Sequence, residues 1–95
     1  MSLELNGAQK RDLRSRAQLL EPLIRIGSAG LNEAVTRSLD AALTQHELVK
    51  LKFTDFKDQK KELGAQLSAA TLSVLVQIVG NVAVFYRPRS ASREA

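Results

Sequence analysis

Ninety-five residues suffice for one domain around one core and are too few for two, and 44% apolar with 25% charged side chains is the balance of a folded chain. The absence of cysteine excludes disulfides, thiolate metal sites and a thiol nucleophile, and no apolar run has the length of a membrane span or the form of a secretory leader. A soluble, cytoplasmic domain is therefore expected, and its net charge of +4 favours a polyanionic partner.

In "LNGAQKRDLRSRAQLL", Leu13, Ala17 and Leu20 recur with helical period, so a first helix is expected over about residues 8–20, with Asn6 as its N-cap. On that helix Lys10, Arg11 and Arg14 form a cationic ridge beside the apolar stripe, while Arg16 falls on the other flank. Pro22 stops the helix, and "LIRI" reads as a short strand with Ile24 and Ile26 on one face. After the loop "GSAG", the segment "LNEAVTRSLDAALTQHE" places Val35, Leu39, Ala42, Leu43 and His46 on one helical stripe behind a candidate N-cap, Asn32. "LVKLKF" alternates, with Val49, Leu51 and Phe53 on one face and Lys50 and Lys52 on the other, which predicts a strand with a buried side and a wet, cationic side. Phe56, Leu63, Leu67 and Ala70 mark a third helix over about residues 57–70, capped by Asp55 and weakened at Gly64 by about 1 kcal/mol relative to alanine. "SVLVQIVGNVAVFYR" gives two antiparallel strands, 73–79 and 82–87, about a tight Gly80-Asn81 turn. The order α-β-α-β-α-β-β specifies an α/β fold, a single compact domain with a small four-stranded mixed sheet and helices packed on it.

The loop from Gly27 to Gly30 leaves a strand and enters a helix, where unpaired N–H groups and the helix dipole favour an anion and glycine lets a phosphate approach. The same residues also suit a plain strand-to-helix turn with nothing bound. A P-loop is excluded because Leu31-Asn32 follows the second glycine, and a dinucleotide fingerprint needs a third glycine. A clamp on a nucleic-acid backbone, as in the Gly-x-x-Gly segment of KH domains, is the functional reading left.

"LLEPLIRIGSAGLNEAV", "HELVKLKF", "VQIVG" and "YRP", in this order and spacing, resemble the CRM domain, the RNA-binding module of chloroplast splicing factors and of small YhbY-like bacterial proteins. The resemblance covers about Asn6 to Pro88 and implies a domain over residues 6–88, between an N-terminal extension, 1–5, and a polar, disordered tail, 89–95. It further implies a fold similar to the C-terminal domain of translation initiation factor three, RNA binding through the glycine loop and nearby basic surface, and a role in large-subunit ribosome assembly.

The expected RNA-binding set is Lys10, Arg11, Arg14, Arg25, Gly27, Ser28, Ala29, Gly30, Lys50, Lys52, Arg87 and Arg89. Two further basic groups stand out in the sequence, Lys57, Lys60 and Lys61 in the middle and Arg93 beyond Arg89. His46, the single histidine, is read as partly buried and bonded to the following turn; the phenylalanines are read as core, and Tyr86 as a possible base-stacking face. No nucleophile is paired with a base, so the chain is read as non-catalytic, with no cofactor, metal, membrane or small-molecule partner, and as a monomer. The alternative function is a protein–protein adaptor whose positive charge serves solubility.

Overall fold

The computed structural model describes residues 5–88, so the expectations for residues 1–4, Arg89, Arg93 and the rest of the tail lie outside it. Eight elements follow in the order α1 (Gly7–Ala17), β1 (Ile24–Ile26), α2 (Glu33–His46), β2 (Leu48–Phe53), a 3-10 turn (Lys57–Gln59), α3 (Lys60–Thr71), β3 (Val74–Val79) and β4 (Val82–Tyr86). Three α-helices and a four-stranded mixed sheet make up the domain, as the patterning predicts.

The sheet order is β1-β2-β4-β3. β1 runs parallel to β2 through the α2 crossover, whereas β4 is antiparallel to both β2 and β3. The closing hairpin therefore inserts its second strand between β2 and β3. Val79 faces Val82 across the two-residue turn, in which Gly80 alone takes positive φ, at 58°; this is the pattern of a II′ turn.

Two cores lie on opposite sides of the sheet. On one, Leu39 and Leu43 of α2 and Leu67 of α3 cover Ile24, Ile26, Val49, Leu51, Phe53, Ala83 and Phe85. On the other, α1 contributes only Leu13 and Ala17, packed on Leu48, Val76 and Val84. One helix cannot cover a face that two cover on the other side. The part it leaves open carries the polar alternates of β1 and β2.

Both asparagine caps form. The Asn6 side chain accepts from the Gln9 N–H at 2.8 Å and Gln9 Oε1 from the Asn6 N–H at 2.9 Å, a reciprocal capping box, while Asn32 accepts from the Val35 N–H at 2.9 Å.

The third helix begins differently from the sequence pattern. Asp55 accepts from the next residue's N–H, at 2.8 Å, rather than from a donor a turn later, so α3 starts at Lys60 after a 3-10 turn. Phe56 is thereby excluded from the helical stripe, and Ala70 faces solvent. Gly64 is also not a simple weak point: a Cβ there would sit 3.2 Å from Leu75 Cδ2, so its absence lets α3 lie close against β3.

Candidate nucleic-acid interface

Strand alternation builds the open sheet face. Arg25 pairs with Lys52 across β1 and β2, and Lys50 lies two residues before Lys52, about 7 Å along the same face. Arg25 and Lys52 are exposed. Lys50 is half-buried because its Nζ donates to the Leu20 carbonyl at 3.0 Å, tying β2 to the chain that leaves α1. Arg14 of α1 and Lys50 line one groove with Gln18 and Gln77, floored by Val82 and Val84. Lys10 and Arg11 stand exposed on the earlier turn of α1. Basic side chains thus run from α1 through Lys50 and Lys52 to Arg25, which precedes Gly27 by two residues, with Glu21 lining the neighbouring groove beside Lys50.

The glycine loop is a closed β-turn. The Gly30 N–H donates to the Gly27 carbonyl at 2.9 Å, and Gly30 takes φ 74°, where a side chain would be strained. The turn is pinned to the end of β2 because the Ile26 carbonyl accepts from the Thr54 N–H (2.9 Å), the Asp55 N–H (3.1 Å) and the Thr54 hydroxyl (2.9 Å). Ser28 and Ala29 form its exposed tip, and Gly30 is buried.

This geometry narrows what the loop can offer an anion. The Gly30 N–H is used within the turn, Asn32 already caps α2, and Glu33 places a negative charge in the first helical turn. The helix dipole expected to face a phosphate is therefore partly offset. The backbone donors left at the tip are the N–H groups of Ser28 and Ala29.

Several side chains depart from their expected places. Arg87 is only 5% exposed: its guanidinium donates to Asp40 Oδ1 at 2.7 Å, the Asp40 carbonyl at 2.9 Å, Thr44 Oγ1 at 2.9 Å and the Thr71 carbonyl at 2.6 Å. Those bonds join β4 to α2 and to the end of α3, so Arg87 is a structural cation and its expected contact with RNA is corrected. Lys60 bonds the Gly80 carbonyl and Asn81 Oδ1, securing the hairpin turn. Arg16 and Arg37 pair with Asp12 and Glu33 on their own helices. His46 is exposed at the end of α2, at the rim of a groove with Leu20 and Leu23, instead of partly buried. Tyr86 packs half-buried on the α1 side of the sheet.

Among the described residues no group of three or more His, Asp or Glu side chains is placed to hold a metal ion, and no helix is long and apolar enough to cross a membrane. What the fold defines is a small α/β module with two helices covering the back of the sheet and a basic face, ending at a glycine turn, in front.

The chain belongs to the CRS1 / YhbY (CRM) domain family, whose model matches residues 5–87. It is similar to "Probable RNA-binding protein YqeI" of Bacillus subtilis (strain 168), with 32% identity over 91 residues, covering 95% of each chain. It also resembles "Probable RNA-binding protein PA4753" of Pseudomonas aeruginosa, with 35% identity over 86 residues, 90% of this chain and 83% of that one. Among solved structures, the hypothetical protein SAV1595 from Staphylococcus aureus superposes with a TM-score of 0.77 at 43% identity over 90% of both chains.

Proposed function

We propose that this protein is a non-catalytic RNA-binding module whose target is ribosomal RNA in precursors of the large subunit, where it assists assembly. The observation that carries the RNA-binding part is the continuity of positive charge from α1 across Lys50, Lys52 and Arg25 to the glycine turn. Such a face attracts a phosphate backbone without reading its sequence, and the turn's exposed tip, Ser28 and Ala29, adds backbone donors beside small, uncharged side chains. The names of its relatives agree with an RNA partner. The large-subunit target rests on the resemblance to stand-alone family members, and the protein acts there as a monomer in the cytoplasm.

A protein–protein adaptor is the second reading, and one feature favours it: Leu20 and Leu23, 39% and 57% exposed, line the groove at the end of α1. One experiment separates the two. Large-subunit ribosomal RNA is titrated with protein at several salt concentrations, alongside sedimentation of the protein through the ribosomal fractions of a lysate. RNA binding that weakens steeply with salt, together with co-migration with large-subunit precursors, is the expected outcome. Salt-insensitive association, or absence from those fractions, overturns the reading.

A further inference from the structure

Two of the chain's three phenylalanines, Phe53 and Phe85, are fully buried, but Phe56 remains 36% exposed. Neither a helix nor a strand holds it. Its backbone is left-handed (φ 55°, ψ 37°), fixed by its N–H to the Asp55 carboxylate at 2.8 Å and by the Gln59 N–H to its carbonyl at 3.0 Å. That conformation sets the ring against the glycine turn: a Cβ on Gly30 would lie 3.2 Å from Phe56 Cε2 and 3.3 Å from Cζ. One edge of the ring is thus fixed to the loop. The remainder opens on a depression lined by Asp55, Lys57, Asp58 and Gln59.

We propose that this depression takes one unpaired nucleobase stacked on Phe56, with an adjoining phosphate at the Ser28–Ala29 tip, so that the RNA engaged here is single-stranded. The inference rests on the RNA-binding reading above and names the form of RNA that the turn receives. An exposed aromatic ring can stack on any base, but only where that base is free of its own duplex neighbours. Charge divides the labour. Asp55 and Asp58 outnumber Lys57 in the depression and disfavour a phosphate there, leaving it to the base, whereas Ser28 and Ala29 carry no acid and Arg25 lies two residues before the turn.

The chain has no tryptophan, so Phe56→Trp places its single indole at the site, excited selectively over Tyr86. Its emission should be quenched by a short unpaired oligoribonucleotide and not by the same sequence annealed to its complement. Phe56→Leu keeps an apolar side chain over Gly30 but removes the aromatic face; its affinity for the unpaired strand should fall about 5- to 150-fold, with duplex binding unchanged. Thermal melts establish that both variants fold, and the tryptophan variant decides alone if the leucine variant does not. An unmoved emission at saturating unpaired RNA, an undiminished affinity of a folded Phe56→Leu, or a parent protein that prefers the duplex each overturns the inference while leaving RNA binding intact. A parent that binds neither RNA overturns the functional reading itself and this inference with it.

Discussion

Arg87 follows β4 directly and looks in sequence like the start of a basic tail, yet its guanidinium turns inward to acceptors on α2 and α3. Its partner Asp40 is 47 residues away, so nothing local distinguishes it from a phosphate contact. Arg87→Ala should lower the unfolding free energy by about 2–3 kcal/mol, measured by urea denaturation, because it strands the buried Thr71 carbonyl and leaves a cavity. The fully buried ion-pair figure is too large here, since Asp40 is 59% exposed and can rehydrate. Salt dependence of RNA binding should be unchanged in the variant if it is studied below its unfolding transition. Gly64 makes the complementary case. In an open helix, alanine there would stabilise by about 1 kcal/mol, but Leu75 stands 3.2 Å from the added methyl. Gly64→Ala should therefore fail to deliver that gain, and Gly64→Val should destabilise by about 2 kcal/mol or more in the same assay.

Among the elements, α1 depends most on its ends. It buries only Leu13 and Ala17, so the capping box of Asn6 and Gln9 is a large part of what keeps Lys10, Arg11 and Arg14 on a rigid support. Asn6→Ala should cost about 1 kcal/mol. If α1 opens on its own, its amides should lose about five-fold in hydrogen-exchange protection while those of α2 change less; a uniform loss across both helices would show that α1 opens only with the whole domain. Asn6 and Asn32 were legible in the sequence because a cap bonds within three residues, and the faces of Lys50 and Lys52 because strand alternation is equally local. The start of α3 was not, since Asp55 has the residue type of a cap but its carboxylate serves the very next N–H. Phe56 was misread with it, as its spacing from Leu63 and Leu67 fits a helical stripe that begins one turn too early. The same limit hides Lys60, whose acceptor in the hairpin turn is 20 residues away.

For the whole molecule, the net +4 from 14 basic and 10 acidic residues says little until the fold distributes it. Arg16 and Arg37 are paired along their own helices, Arg87 is paired inside and Lys60 holds the hairpin turn. Lys10, Arg11, Arg14, Arg25 and Lys52 take part in no ion pair among the described residues, and Lys50 joins them on the same side of the sheet. Clusters in the sequence therefore differ from clusters in space: Arg25, Lys50 and Lys52, dispersed along the chain, share one side of the sheet. If RNA lies on the open face, each cation that replaces a counterion there contributes about 0.7–0.9 to the slope of log K against log salt. Arg14→Ala and Lys52→Ala should each reduce the magnitude of the slope by about that amount, and the double variant by about twice as much, because both side chains leave the cores untouched. Arg37→Ala and Lys61→Ala, on α2 and α3 behind the sheet, should leave the slope as it is. The comparison is read from binding isotherms at four or more salt concentrations for each variant. Equal losses from Lys61 and Lys52 would place the RNA around the helical side, and a loss from Lys61 alone would remove the open face from the interface.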